Sequence, residues 1–348
     1  MRYPKFLQQG GRIGFIAPSF GPTTEPYASL FEKVKERFKG QGYRIVEGPN
    51  CHASNGIGKS NTPEACGAEI NDFFINDRCD VIISCGGGET MCEDLPFVDF
   101  AGIAKAEPKW FMGYSDNTNL TYTLPVLCDT AAIYGPCAAS FGMEPPHRSL
   151  LDAFDILTGR AGEVENYDKW ERESLKDAEH PFVPLNLTED FKMHIYRSGK
   201  ELTGSDAQLD ISGRLIGGCM DCLVNLIGTP FDGSAAFAEK YKNDGIIWFT
   251  EACDYNVMDC RRALWQMKQA GWFKYVKGFL IGRPMNYDDV FAGYDMRSAF
   301  ADMLAEFDVP VLTDLDIGHL PPMMPIVSGA LADVASKDGK LKISYKYR

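Results

Sequence analysis

The 348-residue chain lacks any excess of positive charge: 35 Lys and Arg stand against 48 Asp and Glu, a net charge of −13. Nucleic acid and other polyanions are repelled by such a surface, which excludes them as partners, although local arginines could still clamp a small anion. No apolar run of about 18 residues occurs, so no membrane-spanning helix is expected. "MRYPKFLQQGGRIGFIAPSF" has neither the apolar stretch nor the small-residue cleavage site of a secretory signal, and a cytoplasmic protein is expected. Nucleotide-binding fingerprints are missing too. The glycines at 86–88 neither precede GK[ST] nor fit G-x-G-x-x-G. Eleven cysteines are scattered, an odd count that reads as reduced thiols. The single C-x-x-C, "CMDC" at Cys219 and Cys222, has no second pair and no nearby histidine to complete a zinc site. Core packing, not metal binding, is expected of these cysteines.

What is present is alternation. Short apolar runs, "RIGFIAP", "RIVEGP", "CDVIISCGGG" and "KWFMGYSD", are separated by stretches with apolar residues at helical spacing. Thr62 and Pro63 open one helix as N-cap and first residue. Strand–helix–strand order of this kind predicts an α/β fold on a parallel, doubly wound sheet. Residues 1–148 form this first domain. Residues 149–208 turn polar and read as a linker with substrate loops and exposed hairpins. Residues 209–348 return to α/β character, with strands "DGIIWFTEA", "VKGFLIGRP" and "VPVLTDLDIGH", while "GRLIGGCMDCLVNLIGTPF" predicts a glycine turn leading into an apolar helix.

In open α/β sheets, functional residues gather at the carboxyl ends of strands. By that criterion few candidates remain: the glycine turn with Glu89, then Ser115 with Asp116, then Glu251, and last His319, one of five histidines beside His52, His147, His180 and His194. A serine hydroxyl needs a base to become a nucleophile, and imidazole titrates near neutrality. A carboxylate on the other ring nitrogen fixes its tautomer. Ser115, His319 and Glu251 supply those types, with Asp116, Asp254 and Asp316 as other acids for the third role. The oxyanion would take the amide of Asp116 and one from the glycine turn, Gly87, where the backbone can approach closely. Gly88 and Glu89 follow as substrate-facing residues. Singly, each has a plain structural reading: Ser-Asp pairs cap helices, and strand-end acids are solvated.

Together the segments resemble the LD-carboxypeptidase family of serine peptidases (family S66). "IGFIAPS" resembles its opening strand, "GYSDNTNL" its nucleophile segment, "IIWFTEACDYNVMDC" its acid segment and "DIGHLPPMMPIVSGALADV" its histidine segment. "YGPCAASFGMEPP" is similar to the microcin C immunity (MccF-like) branch. The resemblance implies a domain like class I glutamine amidotransferases joined to a C-terminal swivelling α/β domain, a homodimer, and a Ser115–His319–Glu251 triad without cofactor. It implies either cleavage of aminoacyl-nucleotide amides of the microcin C type or removal of terminal D-alanine from muropeptide tetrapeptides. Trp170 is then a candidate for stacking on a base. Cys219 stands where the family usually has Asn, and the acid Glu89 beside the glycine turn is unexpected for an anionic substrate. Two readings from other classes compete: a cysteine nucleophile at Cys85, and a non-catalytic binder of small ligands.

Overall fold

The computed structural model describes residues 1–347. Five mutually parallel strands build the first sheet: β1 (Arg12–Ile16), β2 (Arg44–Glu47), β3 (Val81–Ser84), β4 (Trp110–Gly113) and β5 (Ala132–Tyr134). Their order is β5-β4-β3-β1-β2, and a sixth strand, Ile326–Ser328, closes the β5 edge in antiparallel register. β3 and β4 are buried at every residue, and apolar but for Ser84, which is the pattern of parallel strands covered on both faces. α1 (Tyr27–Gly40) connects β1 to β2 and α2 (Pro63–Ile75) connects β2 to β3, the latter capped by Thr62, whose side chain accepts from the Ala65 N–H at 3.4 Å.

The second sheet has nine strands. Its centre is parallel: Leu209–Cys219, Ile246–Glu251, Val276–Gly282 and Val311–Leu315 lie side by side. The helices Met220–Leu226 and Val257–Gln269 connect them, the second opened by a capping box between Asn256 and Asp259. The predicted glycine turn at 217–218 is instead the interior of the first strand. A Cβ on Gly217 would stand 1.6 Å from the carbonyl oxygen of Phe249, so glycine is there to let two strands close up, not to turn the chain.

The polar stretch 149–208 is woven into the second sheet. Glu163–Glu165 forms one edge strand, and His194–Arg197 pairs with Val311–Thr313 at the other, followed by Lys200–Glu201. Trp170, expected to stack on a substrate base, is only 4% exposed. Its ring packs against Tyr287 at 5.2 Å and the Arg283 guanidinium at 4.9 Å, so its faces are taken by the protein itself. Among the described residues, no helix is long and apolar enough to cross a membrane.

Candidate active site

Ser115 leaves β4 through Tyr114 and lies at φ +62, a left-handed conformation that costs a side-chain-bearing residue about 1–3 kcal/mol. The neighbouring sequence holds it there. Gly113 has no Cβ because one would stand 2.8 Å from Asn117 Cγ. Asn117 Nδ2 donates to the carbonyls of Gly86, at 2.8 Å, and Tyr114, at 3.0 Å, bracing the nucleophile turn against the glycine turn. Asp116 does not cap a helix. Its buried carboxylate accepts from Ser19 Oγ at 2.5 Å and from the Met91 N–H at 2.9 Å, tying the end of the 86–91 loop to the segment after β1. Burial pushes its pKa up, against the hydroxyl and amide donors that favour the charge.

His319 arrives from the second sheet on the loop after Val311–Leu315. Its Nε2 is 2.9 Å from Ser115 Oγ, and its Nδ1 is 2.8 Å from Glu251 Oε2. Glu251, the last residue of Ile246–Glu251, is fully buried. Gly318, at φ +99, allows the approach, since a Cβ there would fall 2.5 Å from Glu251 Oε2. The three residues that strand-end reasoning singled out are thus hydrogen-bonded in series, and neither Asp254 nor Asp316 hydrogen-bonds to His319. Asp316 instead pairs with the buried Arg283.

Sequence reasoning missed Tyr134, the last residue of β5. Its hydroxyl donates to Glu251 Oε1 at 2.6 Å and accepts from the Ser115 N–H at 3.4 Å, so it links the acid to the nucleophile's backbone. Burial, then the charge on Glu251, holds its phenol well above the usual range, which keeps it a donor. A tyrosine ending an apolar run reads as core, and nothing local marks it otherwise.

Gly87 lies against the nucleophile: a Cβ on it would stand 3.1 Å from Ser115 Oγ. Its carbonyl accepts from the Phe20 N–H at 2.8 Å, while among the described residues its own N–H finds no backbone or side-chain acceptor. Gly88, at φ +152, admits Ser19 where a Cβ would collide with its hydroxyl. Cys219, Glu251 and His319 bring potential metal-ligating atoms within 4.8 Å of one another. Both oxygens of Glu251 and both ring nitrogens of His319 already have protein partners, so this trio is committed to hydrogen bonding. Cys85 is fully buried beside Cys51, and burial raises its pKa well above the usual thiol range, which leaves it inert as a nucleophile.

Two cavities flank the relay. One of about 380 Å³ includes His319, Tyr114, Leu30 and Met323 and is covered by the 174–185 segment. The other, about 110 Å³, includes Ser115, Gly88 and Glu89. A larger open depression of about 630 Å³ beside α1 contains none of the relay residues.

Chemically, a serine, a histidine and a buried carboxylate joined in this order have the arrangement of a serine hydrolase's proton relay. The chain belongs to the LD-carboxypeptidase family: the family's N-terminal domain matches residues 13–135 and its C-terminal domain residues 212–334. It is similar to the microcin C7 self-immunity protein MccF of Escherichia coli, 25% identical over 98% of this chain and 95% of that protein. It is also similar to the "Probable murein peptide carboxypeptidase" of Bacillus subtilis, 23% identical over 94% of this chain and 90% of that one. Among solved structures, MccF in complex with aspartyl sulfamoyl adenosine matches with a TM-score of 0.81 at 24% identity, over 100% of this chain and 99% of that chain. The MccF-like protein of Bacillus anthracis matches with a TM-score of 0.79 at 20% identity, over 99% and 100% of the two chains. These likenesses establish the fold.

Proposed function

We propose that this chain is a serine amidohydrolase that cleaves the bond joining an amino acid to a nucleotide-type leaving group. The observation that carries the reading is the continuous hydrogen-bonded series Ser115–His319–Glu251. His319 Nε2 takes the proton of Ser115 Oγ as that oxygen attacks the carbonyl, and Glu251 steadies the imidazolium through Nδ1–H. The developing oxyanion is met by the N–H groups of Gly87 and Asp116. His319 then protonates the leaving nitrogen, and a water activated by the same base releases the acyl group from Ser115. The nucleotide half of the reading comes from the likeness to MccF, solved with aspartyl sulfamoyl adenosine.

A second substrate, the terminal D-alanine of muropeptide tetrapeptides, is favoured by the likeness to the Bacillus subtilis protein named for murein peptides. Product mass spectrometry separates the two. Wild type and Ser115→Ala are offered acyl-sulfamoyl adenylates mixed with muropeptide tetrapeptides. Release of the amino acid from the nucleotide by wild type alone supports the first reading, and loss of D-alanine supports the second. Equal turnover by both proteins removes Ser115 from the mechanism. Binding of these ligands without turnover makes the chain a binding protein on a hydrolase fold.

A further inference from the structure

Lys59 is a charged group that the proposed chemistry does not use. It sits on the loop between β2 and α2, and its side chain is only 1% exposed. Burying an ammonium is costly, and an apolar residue of similar volume often serves stability as well, so a lysine here points to what it holds. Its Nζ lies 2.5 Å from Asp94 Oδ1 and donates to the Thr90 carbonyl at 3.1 Å, while the more exposed Glu93 is 3.6 Å away. Apart from that ion pair, neither oxygen of the buried Asp94 has a hydrogen-bond partner among the described residues, and burial pushes its pKa up to about 7.

Thr90 ends the loop that begins with the glycine turn. Three successive glycines have wide conformational freedom, so the shape of this loop has to be imposed from outside it. At its start, Asn117 Nδ2 fixes the Gly86 carbonyl at 2.8 Å and the Phe20 N–H fixes the Gly87 carbonyl at 2.8 Å. Gly88 and Glu89 make no backbone hydrogen bond among the described residues. At its end, Asp116 takes the Met91 N–H and Lys59 takes the Thr90 carbonyl. Ser60, next to Lys59, donates its N–H to the Ser19 carbonyl at 2.6 Å, directly before Phe20. Residues 59 and 60 thus brace the glycine turn from both sides.

Building on the amidohydrolase reading, we propose that Lys59 is a positioning residue: by holding Thr90 it keeps the Gly87 N–H beside Ser115, where the oxyanion forms. An oxyanion donor acts in the transition state, so its misplacement lowers kcat and spares KM. Lys59→Met alone strands the Asp94 carboxylate, so the test adds Asp94→Leu, which removes both charges together. Asp94→Asn with Lys59 intact is the control, since it deletes the ion pair and keeps the bond to Thr90. Steady-state kinetics on acyl-sulfamoyl adenylates and muropeptide tetrapeptides, with melting curves alongside, give the readout. The double variant is expected to melt near wild type and to lose at least about tenfold in kcat at unchanged KM, because small displacements at reacting groups are that expensive. Asp94→Asn is expected to keep the wild-type kcat. Wild-type kcat in the double variant, a loss confined to KM, an equal loss in Asp94→Asn, or failure of the double variant to fold overturns the proposal. Absence of turnover by wild type defeats the amidohydrolase reading instead. Amide hydrogen exchange over residues 86–91 then still decides the role of Lys59: faster exchange in the double variant than in wild type and Asp94→Asn supports it, and equal exchange refutes it.

Discussion

Tyr134→Phe is the sharpest test of how the relay is held, because it deletes one oxygen atom and leaves the ring packing intact. The lost hydroxyl donates to a fully buried carboxylate, and among the described residues no other donor reaches Glu251 Oε1. A hydrogen bond to a charged group contributes about 1.5–3 kcal/mol, and leaving a buried acceptor unpaired costs a similar amount. Each 1.4 kcal/mol is about tenfold in an equilibrium, so a Glu251 freed to rotate away from His319 should lower kcat/KM by roughly 10- to 100-fold. The loss should fall on kcat, since Tyr134 lines neither cavity. Thermal unfolding should show destabilisation of about 1–3 kcal/mol in the same variant. Steady-state kinetics on a turned-over substrate, with melting curves alongside, provide the readout. A variant with wild-type kcat and wild-type melting temperature would refute the claim that Tyr134 positions the acid, and so would a change confined to KM.

Other outcomes follow from the same geometry. Burial alone would depress the pKa of His319, but Glu251 and then Cys253 carry it well above the ordinary imidazole range. Only the neutral ring accepts the Ser115 proton, so kcat/KM should fall as pH drops through that raised value, and Glu251→Gln should shift the acid limb downward; a wild-type limb at or below the ordinary imidazole pKa contradicts this. Gly318→Ala places a Cβ 2.4 Å from Glu251 Cγ at a φ of +99, and should cost at least about 100-fold in kcat, because small misplacements at the reacting groups are that expensive. Wild-type kinetics in that variant would show that the His319 loop does not need its glycine.

Much of the site was legible because strand ends are legible. "WFMG" before Ser115 and "IIWFTE" ending at Glu251 are runs that only a buried parallel strand explains, and both deliver their polar residue at the carboxyl end. Tyr134 stayed hidden because its role depends on Glu251, 117 residues away, and on no local pattern. Trp170 was misplaced for a related reason: an aromatic in a polar stretch looks available until Arg283 and Tyr287 are seen against it. The stretch around 160–205 holds the local hairpins its polar pattern suggested, Lys169–Glu171 with Leu187–Asp190 and His194–Arg197 with Lys200–Glu201, but the pairing of His194–Arg197 with Val311–Thr313 was hidden because that partner is distant in sequence. Gly217 and Gly218 carried a turn signal that close strand approach explains better.

The strand Ile326–Ser328 completes the first sheet, although the strands on either side of it in sequence, Val311–Leu315 and Leu331–Lys337, lie in the second. Its consequence concerns the order in which the protein is made. A growing chain that has released β1 to β5 contains Ser115 but leaves the sheet edge beside Tyr134 without its strand, and neither Glu251 nor His319 is yet synthesised. The residues that close that edge follow His319 by only a few positions, so protection of the sheet and arrival of the base occur almost together. An incomplete chain therefore presents Ser115 without either of its partners, and the hydrogen-bonded series forms only when both sheets are joined.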